Sequence, residues 1–415
     1  VRNRSLLIVT TLAVTGALSL TACGSRANSG SSSSGSSSAA AGSTTVTIGV
    51  DAPLTGSLSA LGLGIQNSVD LAIKTANSTH EVPGVTFKIS ALDDKKSPQQ
   101  GQQNATALVA DSNVIGVVGP LNSGVAVSMQ KIFDEANLVE VSPANTNPAL
   151  TQGPNWATGT KTRPFKSYFR TATTDAIQGP FAAQFAYSTL NKKKVFLVDN
   201  KLTYGVGLVA TFKDEFTKLG GTVVGQDHVT SGANDFSSTV TAIKNSKADF
   251  VYFGGEYPDS GPLTKQLKAA GYNVPLIGGD GMYDPTYIQL AGAAANGDYA
   301  TSVGAPVETL PSATKFVADY KAAGYKDPYA AYGGYSYDSA WAIIEAVKAV
   351  AAANSGKLPA NPRQAVETAM GSVNFSGVTG TVSFDQYGDA TNKQLTVYGV
   401  KNGAWATVKT GTFSG

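Results

Sequence analysis

Two loops in the first third of this 415-residue chain collect groups suited to holding a small charged solute. Gly119-Pro120-Leu121-Asn122-Ser123-Gly124 follows an apolar run ending at Val118 and precedes a helical pattern from Val125. A helix start offers unpaired backbone N–H groups and a partial positive charge, which suit a carboxylate or phosphate, and Ser123 adds a hydroxyl donor. Asn122 or Ser123 could equally do no more than cap the helix. The second loop, Ser142-Pro143-Ala144-Asn145-Thr146-Asn147-Pro148, is polar and stiffened by two prolines, so it can offer carbonyls and hydroxyls to a zwitterion. Further along, Tyr204 follows an apolar run ending at Asp199, Glu256 stands behind Gly254-Gly255, and Asp280 behind Gly278-Gly279. One acid at such a point is commonplace, but two behind paired glycines suggest a polar cleft that the backbone approaches closely.

Other chemistries are poorly served. A single Cys excludes a disulfide within the chain, and with only His80 and His228 a Cys/His zinc site is excluded too. No G-x-S-x-G or G-x-x-x-x-G-K-[ST] occurs, and both histidines read as surface residues. Gly205-Val206-Gly207-Leu208-Val209-Ala210 fits G-x-G-x-x-A with Asp227 about 20 residues on. Asn200 to Tyr204 intervene between its strand and the first Gly, which argues against a dinucleotide enzyme. The turn Asp385 to Asp389 lacks the ligand periodicity and closing Glu of a calcium loop, so an ordinary turn is expected. No cofactor or metal is implied.

The elements that must position the loops alternate regularly. Val46–Val50, Val85–Ile89, Val114–Val118 and Leu138–Val141 read as strands, separated by helical spacing over Gly64–Ala76, Pro98–Ala110 and Val125–Glu135. After a Pro/Gly/Thr-rich stretch the pattern repeats, with strands at Val195–Asp199, Thr222–Val229, Phe250–Phe253 and Pro275–Ile277 and helices near Gly207–Leu219, Phe236–Asn245 and Pro262–Ala270. This is an α/β chain of two doubly wound, Rossmann-like lobes with their strand ends on facing edges. A cleft between lobes is a preferred ligand site. Helices at Ala330–Ala353 and Pro362–Met370 follow, and the chain is expected to end in a hairpin of Val382–Phe384 with Gln394–Val400.

Residues 1–22 carry a basic start (Arg2, Arg4), an apolar stretch from Leu6 to Leu20 and small residues before Cys23, the pattern of a secretory signal. Leu20-Thr21-Ala22-Cys23 resembles the lipobox of bacterial lipoproteins, in which the Cys is lipidated and becomes the first residue. Residues 23–45 are then a Ser/Gly-rich tether spanning roughly 25 Å. Without the signal the chain has 29 basic and 29 acidic residues, which gives no reason to expect nucleic-acid binding.

From Val46 onward the order of Asp93-Asp94, Gly119-Pro120-Leu121, Ser142-Pro143-Ala144, Tyr204-Gly205, Val251-Tyr252-Phe253-Gly254-Gly255 and Tyr387-Gly388-Asp389 resembles the type I periplasmic substrate-binding proteins of ABC importers, in the leucine/isoleucine/valine-binding branch. The resemblance implies a hinged Venus-flytrap fold, with lobes of 46–172 plus 304–385 and 173–303 plus 386–415. It implies a monomer outside the cytoplasmic membrane, anchored through Cys23, that catalyses nothing and hands an amino acid to a permease and its ATPase subunits. A short amide or urea, or a sensory role through a separate partner, are the alternatives. It places the ligand's carboxylate at Ser123 and the loop of Ala144 and Thr146, its ammonium at Ala144, Thr146 and Asp280, and Tyr204 over the ligand. The family's aromatic walls fall on Leu61 and Glu256 here, its first-lobe disulfide has no Cys, and Tyr332 is expected to supply another wall. Glu256 is expected to receive a basic or amide group or to make a second contact to the ammonium.

Overall fold

The computed structural model describes residues 43–413, so the signal, Cys23 and most of the tether lie outside the described residues. Among the described residues fourteen strands and twelve α-helices are formed. The first half-unit comprises β1 (Thr44–Ala52), α1 (Ser59–Ser78), β2 (Val85–Asp93), α2 (Pro98–Ala110), β3 (Val114–Val118), α3 (Ser123–Glu135), β4 (Val139–Ser142), α4 (Ala149–Gln152) and β5 (Tyr168–Arg170). Its strands make a parallel sheet in the order β2-β1-β3-β4-β5. β3 is buried throughout, which is why it reads as an unbroken apolar run rather than as alternation; β4, Val-Glu-Val-Ser, is equally buried although Glu140 and Ser142 alternate with its valines.

The second unit contains α5 (Asp175–Gln184), β6 (Lys194–Asp199), α6 (Thr203–Lys218), β7 (Thr222–His228), α7 (Ser237–Ser246), β8 (Phe250–Gly254), α8 (Tyr257–Ala269), β9 (Leu276–Gly278), α9 (Pro285–Ala291) and β10 (Tyr299–Val303). β7-β6-β8-β9-β10 repeats the strand order of the first sheet in parallel, and antiparallel β13 (Gln394–Lys401) and β14 (Ala404–Thr412) extend its edge. In each sheet the order reverses beside the first strand, so the crevices at the β1/β3 and β6/β8 carboxyl ends are where a doubly wound fold binds ligands.

Between β10 and β13 the chain returns to the first lobe. There α10 (Thr314–Ala323), α11 (Gly333–Ala353) and α12 (Arg363–Met370) form, and α11 packs on α1 and behind β3 and β4. The expected hairpin of Val382–Phe384 with Gln394–Val400 does not form. Val382 and Ser383 belong to β12 (Gly380–Ser383), which pairs with β11 (Asn374–Gly377), while β13 pairs with β10 and β14. Asp338 in α11 holds the β11–β12 turn by accepting from the backbone N–H groups of Val378 and Thr379, which fixes that hairpin on the first lobe. Among the described residues no helix is long and apolar enough to cross a membrane.

The turn Asp385–Asp389 does structural work. Arg170, fully buried, donates through Nε to Asp389 Oδ1 at 2.7 Å, through Nη1 to the carbonyls of Asn145 and Asn147, and through Nη2 to Thr151. Asp389 also accepts from Thr151 and Gln152. The pair thus ties β5, the Ser142–Pro148 loop and the turn together. Asp389→Ala should destabilise the protein by about 3 to 5 kcal/mol, because it strands a buried guanidinium. Urea denaturation measures this, and a loss under about 1 kcal/mol would mean that the neutral oxygens satisfy Arg170 alone.

Candidate functional site

Loops from both sheets converge on one nearly closed cavity, in which the volume open to a water molecule is only about 10 Å³. The first lobe contributes Leu121, Asn122 and Ser123 at the start of α3 and Ala144 after β4; Tyr204, Glu256, Asp280 and Gly281 come from the second. Tyr332, at the N-cap of α11, completes the wall. Seven of the residues expected at a site are therefore brought together.

Two are not on the lining. Leu61 lies in the first-lobe core, 1% exposed, so no aromatic or aliphatic wall comes from α1 at this cavity. Thr146 is fully buried, and its carbonyl accepts the backbone N–H of Asp175 at 2.8 Å.

Local chemistry explains the placement. Ser142 Oγ donates to the Pro120 carbonyl at 2.8 Å and accepts from the backbone N–H of Asn145 at 2.9 Å, which pins the two first-lobe loops to each other. Asn145 adds a bond to the Leu121 carbonyl. Neither Asn122 nor Ser123 caps α3 through its side chain. Ser123 Oγ, Asn122 Oδ1 and Thr146 Oγ1 are buried without a partner among the described residues. Such groups are costly unless something supplies the missing bond.

Tyr204 stands on a helix rather than a loop, because α6 begins at Thr203, four residues earlier than its apolar spacing suggests. The fingerprint-like Gly205 to Ala210 therefore lies inside α6. A Cβ at Gly205 would collide with the Gly254 carbonyl, and one at Gly279 with the Tyr204 hydroxyl. These glycines let α6 press on the ends of β8 and β9; they cradle no pyrophosphate. His80 and His228 are exposed, as expected.

Asp280 is the centre of charge in the second lobe. Its Oδ1 accepts from Tyr204 Oη at 2.7 Å and Gln178 Nε2 at 2.8 Å, and its Oδ2 accepts from Tyr332 Oη at 2.7 Å. Burial pushes its pKa above the usual carboxylate range, while the three donors pull it back. Asp175, at the start of α5, shares Gln178 with it and is pushed up to about 7 by burial and by the charge of Asp280. Burial also drives the Tyr204 and Tyr332 hydroxyls well above their ordinary values, so both stay protonated donors.

Glu256 does not stand free. It accepts from Asn122 Nδ2 at 2.9 Å, Asn200 Nδ2 at 2.8 Å and Lys96 Nζ at 3.0 Å. Gln178, Lys96 and Asn200 escaped the sequence reading because none sits in a distinctive motif. Among the described residues no cluster of His, Cys, Asp and Glu is arranged to hold a metal ion.

The lobes are also joined directly. Lys96 reaches Glu256 and Ser231, Tyr257 Oη donates to the Ser57 carbonyl at 2.7 Å, and Asn147 Nδ2 to the Thr203 carbonyl at 3.0 Å. These contacts exist only with the cleft shut.

Known proteins share this fold. The chain is 32% identical over 355 residues to the Leu/Ile/Val-binding protein BraC3 of Rhizobium johnstonii, covering 85% of this chain and 91% of that protein. The crystal structure of the leucine-binding protein LivK of Thermotoga maritima superposes with a TM-score of 0.77 at 28% identity, covering 88% of this chain and 98% of the other. The branched-chain amino acid transporter substrate-binding protein LivJ of Streptococcus pneumoniae, solved with isoleucine, gives 0.76 at 25% identity over 89% of this chain and 99% of the other. The family model described as periplasmic binding protein matches residues 45–404. With that match spanning both lobes, and two hinged α/β units closing on a polar cavity, the chain belongs to the periplasmic binding protein family.

Proposed function

We propose that this exported protein captures a small α-amino acid with an uncharged side chain between its lobes and delivers it to an ABC permease and its ATPase subunits, tethered to the membrane through Cys23. It catalyses no reaction. The observation that carries the reading is an interlobe cavity at the strand carboxyl ends with an unpaired Ser123 hydroxyl and a helix start on one side and the Asp280 carboxylate on the other. Those are complementary poles for a zwitterion. The names of the relatives support an amino acid of about the size of leucine, isoleucine or valine.

Ligand first meets the loops of Ser123, Ala144 and Thr146, where the carboxylate takes the N–H groups of α3 and the Ser123 hydroxyl. The second lobe then closes, bringing Asp280 to the ammonium and Tyr204 over the solute, a hinge motion driven by contacts made only when shut. Each charge-assisted hydrogen bond contributes about 1.5 to 3 kcal/mol.

A thermal-shift screen against the amino acids, short amides and urea tests the reading, since a ligand of the folded state raises the melting temperature. Stabilisation by at least one amino acid is expected; a response to urea or amides alone would replace the amino acid with those solutes.

Asp280→Asn should weaken binding of that amino acid about tenfold or more in calorimetry, and unchanged affinity would remove Asp280 from the site. Ser123→Ala should cost about tenfold in affinity with little change in melting temperature, because its hydroxyl makes no bond within the protein. A large fall in melting temperature would reveal a structural role instead.

Folding raises the pKa of Asp175 from 3.8 to about 7, so the folded chain keeps a proton that the unfolded chain loses, and stability falls as pH rises through that window. Asp175→Asn should therefore raise the melting temperature more at pH 8 than at pH 5, where only part of that loss has yet occurred. An equal effect at both pH values would show that Asp175 does not titrate in this range.

A further inference from the structure

Asp280 and Glu256 both line the cavity, yet they are not equally available to a solute. Glu256 is 2% exposed and takes donors from both lobes: Asn122 and Lys96 of the first, Asn200 of the second. Its charge is matched by Lys96, whose Nζ is held in turn by Ser231 Oγ at 3.0 Å. A carboxylate so occupied has no call on a ligand's ammonium.

The consequence falls on Asn122. A carboxylate only accepts, so the NH₂ side of the Asn122 amide must face Glu256, and its carbonyl oxygen must turn the other way. That Oδ1 is buried, has no partner among the described residues, and belongs to a residue on the cavity wall. It can be satisfied only by a donor. With the ammonium assigned to Asp280 and the carboxylate to Ser123, the donor has to come from the solute's side chain.

We propose that Glu256, locked by Lys96 and Asn200, orients Asn122 so that the pocket selects an amino acid whose side chain ends in a hydroxyl or carboxamide over its aliphatic isostere. This rests on the amino-acid reading above. Glu256 offers a charged side chain no free partner, since Lys96 already neutralises it. Glu256 is a positioning residue: it acts on the solute through Asn122. A site built to hydrogen-bond a solute group discriminates strongly against the analogue lacking it, because the buried polar atom is then left unpaired.

Two isosteric pairs test this on the full chain by calorimetry: L-threonine with L-valine, and L-asparagine with L-leucine. The donor-bearing member of at least one pair should bind about tenfold tighter or more. Lys96→Met should shrink that preference to within about threefold, while Lys96→Arg, which keeps the ion pair, should retain it. If valine and leucine bind as tightly as their partners, the inference fails and the amino-acid reading stands. A preference undiminished in Lys96→Met also overturns the role of Glu256. If none of the four binds, the inference fails, and the amino-acid reading is decided by the thermal-shift screen above.

Discussion

A carboxylate kept out of water between two lobes is the constraint around which the cleft is organised. Asp280 is fully buried, and an isolated charge there would neutralise itself rather than persist. Tyr204, Tyr332 and Gln178 hold it ready instead, each donating to an oxygen of the same group. Tyr332 comes from the N-cap of α11, on the first lobe, so the site of charge is itself an interlobe contact. Closing the cleft and preparing the acid are one event. In the proposed reading an arriving ammonium completes an arrangement whose other donors are already in place.

The two acids behind Gly-Gly pairs show how similar sequence contexts diverge. Asp280 is surrounded by neutral hydroxyl and amide donors, which leave its charge unmatched. Glu256 meets a lysine, so its charge is consumed by the protein. What distinguishes them is not the local sequence but what the opposite lobe carries at the point of contact. Glu256 is thereby a polar clasp between the lobes, and the neighbouring Asn122 takes its orientation from it.

The sequence made the repeated β-α architecture legible because the central strands, such as β3 and β8, are buried throughout and read as short apolar runs between longer helical stretches. Pro98–Ala110 and Val114–Val118 appear with the expected bounds. Where apolar spacing is weak at a helix start, as at Thr203 and Tyr257, the helices begin earlier than periodicity indicates, and this moves Tyr204 from a loop to a first turn. β14 is largely exposed and alternates poorly, so it escaped notice, and without it β13 was paired with the wrong neighbour. The wall of the cavity was largely readable from strand ends, since fold topology dictates where they meet. Lys96, Asn200 and Gln178 were not, because their roles arise from partners 160, 56 and 102 residues away.

The buried Arg170–Asp389 pair has a mechanical meaning. Arg170 ends the last strand of the first sheet just before the chain crosses at 171–174, and Asp389 stands just before it crosses again on the way to β13. Both crossings are thereby riveted to the same body. Any swing of the jaws must take its bend beyond that rivet, because prising the pair apart would strand a buried guanidinium.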